Sequence, residues 1–239
     1  MSERIALSFG GGIQTVALVV LCLKDELPMP EKVIFADTGA EWPETYDYIA
    51  RFIQPAIGDR FLVIKAPEGL YEHLLSRRLI PSPVRRQCTR EAKLRPIYRA
   101  LKELNIKHQW IGFSADEQGR AWRKLNSRYA LTVKTSFPLI ELGLTRADCE
   151  FEIQRYGWPL PRRSACYFCC FQHPNQVRRL FLEHPELFAQ AEALENAALE
   201  RAPGYFIMGN HPWRYWAVEQ HNLFGDDFLY GCQDGLCFR

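Results

Sequence analysis

Short apolar runs alternate with amphipathic stretches through the first 145 residues of the chain. The runs are rich in Val, Ile and Phe, which is typical of buried strands. We predict strands at residues 4–9, 32–38, 60–66 and 108–113, and helices at residues 12–25, 44–53 and 90–104. Strands that alternate with helices over short links build a parallel sheet with helices on both faces. The pattern therefore predicts an α/β fold with a parallel twisted sheet covered on both sides.

The pattern changes after residue 145, where strand-like runs give way to helical ones. Thr145 and Asp148 have the spacing of a helix-capping box, so a helix is expected from Thr145 to residue 158. A loop rich in proline and cysteine follows at residues 159–170. Two more helices, separated at Pro185, are expected at residues 173–184 and 185–201.

We therefore expect an α/β domain at residues 1–145 and a helical, cysteine-bearing extension at residues 146–239. The 239 residues are 47% hydrophobic and 24% charged, ordinary values for a globular protein. No run approaches the ~18 apolar residues of a membrane span, and the start lacks a secretory hydrophobic segment. A cytoplasmic location without a membrane partner is expected.

Positive charge is concentrated in one stretch of the chain. Between Arg77 and Lys102 nine basic residues accompany one acid, Glu91, although the formal net charge is only +2. Such a stretch is either a solvated helix face or a surface for a polyanion such as nucleotide phosphates or a nucleic acid.

Three consecutive glycines, Gly10 to Gly12, join the first predicted strand to the first helix. Such a loop directs backbone amides and a helix N-terminus at one spot, and Ser8 and Thr15 add hydroxyls beside it. The loop has neither the Lys of a Walker motif nor the Rossmann spacing of glycines. It is either a phosphate site or a tight turn without a ligand.

Polar residues also follow the second and fourth predicted strands. Asp37, Thr38 and Gly39 lie at the end of the second strand, and Gly112 lies at the end of the fourth, where the polar segment FSADEQGR (113–120) begins. The carboxyl ends of parallel strands meet at one edge of the sheet, where ligands of such folds bind. These residues and the glycine loop therefore predict a nucleotide site.

Several segments resemble, in order, the PP-loop ATP pyrophosphatases and their phosphoadenosine phosphosulfate (PAPS) reductase-like branch. Residues 8–15, SFGGGIQT, resemble the pyrophosphate loop, and residues 35–45, FADTGAEWPET, resemble the second motif of the branch. Residues 87–96, QCTREAKLRP, and 112–120, GFSADEQGR, resemble its middle and fourth-strand segments. Phe9 departs from the family, where the loop usually begins with glycine. The branch includes Fe–S sulfurtransferases of the DNA phosphorothioation and tRNA thiolation types.

The resemblance implies an adenine nucleotide alpha hydrolase-like fold that binds ATP with Mg²⁺, or alternatively PAPS or adenosine phosphosulfate (APS). The nucleotide would be bound by Ser8, Gly10, Gly11, Gly12, Gln14, Thr15, Asp37, Thr38, Gly39 and Gly112. Asp37 would reach ribose, adenine or Mg²⁺, and Lys93 and Arg120 would neutralise charge as pyrophosphate leaves. These three are the expected catalytic residues, although a solvated surface position is the alternative for Lys93.

The eight cysteines favour metal or redox chemistry, because the chain shows no signal peptide that would favour disulfides. Cys166 and Cys169 have the spacing of half a metal or Fe–S site. Cys22 lies in an apolar helical run and Cys149 in a predicted helix, so both are expected to be structural.

The resemblance also implies a 4Fe–4S cluster held by Cys88, Cys166 and Cys169. We expect Cys237 as the fourth ligand, with Cys232 or Cys170 as alternatives, and Zn²⁺ on the same thiolates remains open. Reductases of the branch use a cysteine near the C-terminus as nucleophile. Cys237 would take that catalytic role here, in a tail that reads DGLCFR.

Taken together, these residues predict an ATP-dependent sulfurtransferase that adenylates an acceptor, expected to be a nucleic acid, and uses an Fe–S cluster in sulfur transfer. Expected partners are DNA or tRNA and a sulfur donor such as a cysteine desulfurase, and a homodimer is left open. One alternative is a PAPS or APS reductase. Another is a non-catalytic subunit that binds a nucleotide or nucleic acid within a modification or defence complex.

Overall fold

The computed structural model describes residues 4–66, 68–125 and 133–218. Its sheet has five parallel strands in the order β3-β2-β1-β4-β5. The strands are β1 (Ile5–Phe9), β2 (Lys32–Asp37), β3 (Phe61–Lys65), β4 (His108–Ile111) and β5 (Lys134–Ser136). The four predicted strands and the α/β class are confirmed. β5 was not predicted, because its three residues, Lys-Thr-Ser, carry no apolar signal.

Twelve α-helices accompany the sheet within the described residues. In chain order they are α1 (Ile13–Leu23), α2 (Pro43–Tyr48), α3 (Gln54–Ile57), α4 (Leu70–Ser76), α5 (Gln87–Thr89), α6 (Arg95–Glu103), α7 (Gln118–Leu125), α8 (Pro138–Glu141), α9 (Arg146–Arg155), α10 (Pro174–Glu183), α11 (Pro185–Arg201) and α12 (Trp213–Val218). Single π-helical turns join α2 to α3 and α5 to α6. Within the same residues, no helix is both long and apolar enough to cross a membrane.

The central strand β1 separates two apolar clusters, because its side chains alternate between the two faces of the sheet. Leu7 packs into a cluster with α1 and with Cys149 and Ile153 of α9. Ala6 packs into a second cluster with Leu101 of α6. Helices therefore cover both faces, as the sequence predicts.

Two helix boundaries follow directly from local chemistry. Thr145 and Asp148 form the predicted capping box of α9: the Asp148 amide donates to Thr145 Oγ1 at 3.3 Å, and the Thr145 amide donates to Asp148 Oδ2 at 2.8 Å. Pro185 begins α11 directly after α10 has ended at Glu183. Proline suits a first helical position, because its missing amide would have no partner there.

The chain divides into two compact units whose segments alternate along the sequence. The sheet unit comprises residues 1–37, 41–65 and 92–164, and the cysteine unit comprises residues 38–40, 66–91 and 165–239. The predicted division at residue 145 concerns consecutive domains and stays a prediction.

Candidate functional site

The glycine loop makes a sharp connection between β1 and α1. Gly11 has φ +76°, and a Cβ at this position would lie 2.8 Å from Cγ2 of Thr45. Gly12 caps α1 with extended backbone, and no side chain of the described residues caps the helix end. The first amides of α1 are therefore left for water or an anion, as at known phosphate-binding helix ends.

Three hydroxyls surround this loop. Thr15 is buried and braces it: its Oγ1 donates to the Gly12 carbonyl at 3.1 Å and accepts from the Gly10 amide at 3.4 Å. The Ser8 hydroxyl accepts a hydrogen bond from Nε2 of the Gln109 side chain. Ser164, which was not predicted, has its hydroxyl 3.3 Å from the position that a Cβ on Gly12 would take. Ser164 thus adds a second hydroxyl beside Gly12, next to that of Thr15.

Gly112, a predicted site residue, allows β4 to end against the first turn of α1. A Cβ there would lie 2.8 Å from Cγ2 of Thr15 and 3.2 Å from the Thr15 amide nitrogen. Contacts this short would push the helix away from the strand. The structure therefore brings Gly112 and Thr15 together at the carboxyl edge of the sheet.

Gln14 and Arg120 meet through an acid that was not assigned to the site. Gln14 Nε2 donates to Glu117 Oε2 at 3.2 Å, and the Arg120 guanidinium donates to the other oxygen of Glu117. Arg120 also lies over the ring of Phe113, 4.6 Å from its centroid. The charge of Arg120 is thus already balanced by Glu117 next to the helix that follows the glycine loop.

Asp37, at the end of β2, is held by a phenol. The hydroxyl of Tyr46 donates to Asp37 Oδ1 at 2.6 Å. Burial, together with the bond to Asp37, raises the pKa of Tyr46 well above its ordinary value. Tyr46 therefore stays a neutral donor at any physiological pH and fixes the Asp37 carboxylate at the strand end.

Lys93 is anchored to a buried acid. Its Nζ donates to Glu41 Oε1 at 2.7 Å, and the Glu41 side chain is fully buried. Glu41 Oε2 is also buried and has no hydrogen-bond partner among the described residues. The ammonium of Lys93 therefore compensates a carboxylate that would otherwise be buried without a counter-charge.

In the cysteine unit, the turn that follows Asp37 contacts the cysteine loop. Thr38 Oγ1 lies 3.6 Å from Cys166 Sγ, and the Tyr167 amide donates to the Ala40 carbonyl at 2.9 Å. Gly39 between them has φ +71°, a conformation that favours glycine. Thr38 and Gly39 are both predicted to bind the nucleotide. They also form the turn that contacts Cys166 and its neighbour in the chain.

Three further thiols, Cys88, Cys169 and Cys170, belong to the same unit. The neighbouring Cys169 and burial raise the pKa of Cys170 above its ordinary value. Cys88, Cys166, Cys169 and Cys170 are all partly exposed. Cys232 and Cys237, the predicted tail ligands, lie outside the described residues.

Cys22 and Cys149 behave differently from these thiols. Both are at least 97% buried, and burial raises the pKa of each to about 12. Such thiols are inert, so the structure agrees with the structural role predicted for them.

The sheet order and the glycine loop between β1 and α1 define a PP-loop type of α/β protein. The phosphoadenosine phosphosulfate reductase domain matches residues 4–142, more than half of the chain, and the chain belongs to that family. The predicted resemblance is thereby confirmed.

Two solved structures share the fold. One is the PAPS reductase from Candida auris in its phosphate complex, with TM-score 0.51 and 17% identity over 67% of this chain and 76% of that one. The other is the U34-tRNA thiolase NcsA from Methanococcus maripaludis with its [4Fe-4S] cluster, with TM-score 0.52 and 14% identity over 85% of this chain and 74% of that one. At these identities the likeness shows the fold alone. No curated protein matches the sequence.

Proposed function

We propose that this chain is an ATP-dependent sulfurtransferase that adenylates an acceptor, a nucleic acid, and delivers sulfur with the help of a 4Fe–4S cluster. The observation that carries this proposal is that Cys88 folds into the same unit as Cys166, Cys169 and Cys170, from which it is far apart in the sequence. Membership of the family is equally compatible with sulfonucleotide reduction.

The donor set fits a cluster. Cys88, Cys166 and Cys169 offer soft thiolate ligands and are partly exposed, unlike the deeply buried Cys22. Cys170 offers a fourth thiolate within the described residues, and Cys237 or Cys232 would offer one from the tail. A cluster held by three of these thiolates would supply an open iron that binds the sulfur to be transferred, whereas a fourth thiolate would occupy that iron. Zn²⁺ is the alternative occupant of the same thiolates.

For the nucleotide, we propose that the open amides at the start of α1 and the Ser164 hydroxyl bind the phosphates of ATP. Asp37, oriented by Tyr46, binds Mg²⁺ or the ribose. An acceptor oxygen attacks the α-phosphorus of ATP and pyrophosphate leaves. Hydrosulfide, which a donor protein such as a cysteine desulfurase supplies from its persulfide with a thiol reductant, then attacks the activated atom of the acceptor and displaces AMP. DNA or tRNA as acceptor, a cytoplasmic location and a homodimer remain parts of this proposal.

Anaerobic purification followed by iron, sulfide and zinc analysis tests the cluster. We expect about four irons per chain, lost in Cys166→Ser and retained in Cys22→Ala, which removes a core thiol. One zinc and no iron would overturn the cluster and make the thiols a structural clip. Pyrophosphate release from ATP, reduced in Asp37→Asn, tests the nucleotide chemistry.

A second candidate, reduction of PAPS or APS with Cys237 as nucleophile, is favoured by the family match. It requires turnover of the sulfonucleotide with thioredoxin and loss of that turnover in Cys237→Ser, without use of ATP. A third candidate, a non-catalytic binding subunit, is favoured by the loop departure at Phe9. Pyrophosphate release by the isolated chain would contradict it.

A further inference from the structure

The cysteine unit contains a cavity of about 210 Å³ that the nucleotide site does not use. It is lined by α4, by the segment that runs from Arg78 to Cys88, and by the C-terminal end of α11 with the residues after it. Cys88, a proposed cluster ligand, lies on its wall. The cavity is therefore next to the thiols without belonging to the glycine loop.

The wall of this cavity is positively charged. It includes Arg78, Arg85 and Arg201 and no acidic residue. Arg78 lies 3.5 Å from the exposed Glu200, and Arg201 donates to the Arg77 carbonyl at 3.1 Å. The side chain of Arg85 is exposed and has no hydrogen bond or ion pair with the described residues. Arg85 is thus available to an anionic ligand.

The remaining wall suits a flat, partly apolar group. Leu74, Ile80 and Ala198 contribute buried apolar residues. Tyr205, also on the wall, is 47% exposed. Tyrosine rings and arginine planes are the surfaces on which unpaired bases stack in complexes with single strands. The volume is below the ~300 Å³ of typical small-molecule pockets, so it holds one base, while the attached sugar-phosphate lies at the opening beside the exposed Arg85.

We propose that this cavity binds one nucleotide of a single-stranded nucleic acid, with a phosphate at Arg85 and the base against Tyr205. The identification of that strand as the sulfur acceptor rests on the proposed function. Binding there would hold a nucleotide beside Cys88, on the side where sulfur transfer is proposed.

Fluorescence anisotropy with a labelled single-stranded RNA 20-mer, and with the DNA strand of the same sequence, tests the proposal. Arg85→Ala should weaken binding about fivefold at 0.1 M salt and lower the slope of log K against log salt by about 0.7, the value for one phosphate contact on a single strand. Arg85→Lys should keep the slope. Tyr205→Ala should weaken binding about fivefold with the slope unchanged, because it removes stacking and no charge.

Arg51→Ala is the matched control, because Arg51 is an exposed arginine of the sheet unit. It should bind like the wild type. The proposal is overturned if the wild type binds neither strand, if Arg85→Ala binds as tightly as the wild type, or if Arg51→Ala loses as much affinity. Competition with free AMP distinguishes a nucleotide within a strand from a free mononucleotide. Displacement of the strand by an equimolar amount of AMP would assign the cavity to a mononucleotide and overturn the proposal.

The iron content and the pyrophosphate release of the same variants are measured in parallel. The iron content should be unchanged in Arg85→Ala and Tyr205→Ala, because neither residue is one of the thiols. A wild-type protein that holds no iron and releases no pyrophosphate would contradict the proposed function. Equal affinities of Arg85→Ala and Arg51→Ala for the strand would contradict the proposal for the cavity alone.

Discussion

The hydroxyl of Thr38 lies 3.6 Å from the sulfur of Cys166, so the turn that ends β2 touches the first cysteine of the Cys166–Cys169 pair. Thr38 is 1% exposed and also accepts from the Ala40 amide at 3.3 Å. The Thr38 hydroxyl thus contacts both the backbone of the turn and the sulfur of a candidate metal ligand.

Replacing Thr38 with Val should therefore affect both stability and the thiol. The variant keeps the shape but leaves the Ala40 amide without its acceptor, and we expect the free energy of unfolding to fall by about 1–2 kcal/mol. The reaction of Cys166 with a thiol reagent should also change in rate. Thr38→Ser, which keeps the hydroxyl, should restore the rate. Equal rates in wild type and Thr38→Val would show that the contact does not act on the sulfur.

Gly112→Ala should destabilise the protein at the sheet edge. Its Cβ would lie 3.2 Å from a backbone nitrogen of α1, which cannot move away as a side chain can, and we expect a cost of about 1–3 kcal/mol in urea unfolding. Gly10→Ala is the comparison, because a Cβ there meets nothing within 4 Å. Gly10→Ala should unfold like the wild type and, if the loop holds phosphates, bind ATP less tightly.

Lys93→Met should be among the most damaging single changes in the sheet unit. It leaves the Glu41 carboxylate buried without a counter-charge, for which we expect a loss of about 3–5 kcal/mol in the free energy of unfolding. The double variant Glu41→Gln/Lys93→Met removes both charges and should recover part of that loss. Asp47→Asn, in an exposed pair with Arg51, should cost no more than about 1 kcal/mol.

Glu195 of α11 should make stability depend on pH. It is 3% exposed and accepts from the amides of Ile207 and Trp213 at 2.9 and 2.6 Å, and burial is the main cause that raises its pKa. A carboxyl with a raised pKa in the folded state binds its proton more tightly there than in the unfolded chain. Its contribution is thus present below the ordinary pKa of 4.5 and is lost as pH rises through the raised value.

Chemical unfolding from pH 4 to pH 7 checks this relationship. The wild type should lose stability over that range relative to Glu195→Gln, which cannot ionise. Parallel curves for the two proteins would contradict the role of Glu195. Glu183→Gln, at an exposed position of α10, serves as control and should follow the wild type.

The sequence predicts the elements whose signal is local. The capping box of α9 and the break at Pro185 each depend on residues a few positions apart, and the four longer strands carry apolar runs. β5 escapes because Lys134 to Ser136 form a strand only by pairing with β4. Hydrogen bonding to the neighbouring strand thus stabilises a strand whose own amino-acid composition does not predict one.

The site was less predictable than the fold, because its missing members are defined by distance in space. Ser164 is the last residue of the sheet unit in the sequence, far from the glycine loop that it lies beside in space. The only sequence signal for it is its position in the run Arg162-Arg163-Ser164 before the cysteines. Glu41 reads as one more polar residue in a turn, yet its burial decides where Lys93 lies. Neither role has a spacing that a sequence pattern carries.

The position of β1 in the middle of the sheet has a consequence for synthesis of the chain. β1 and β2 are made early, but the second neighbour of β1 is β4, which begins at His108. At about 5–20 residues per second, the open edge of β1 waits roughly 5–20 s on the ribosome for its partner. An unpaired edge of a buried strand is a template for the wrong strand. We expect a lower growth temperature, or co-expression of a chaperone that holds the unfolded chain, to raise the yield of folded protein. This increase should exceed that from any substitution in the candidate site.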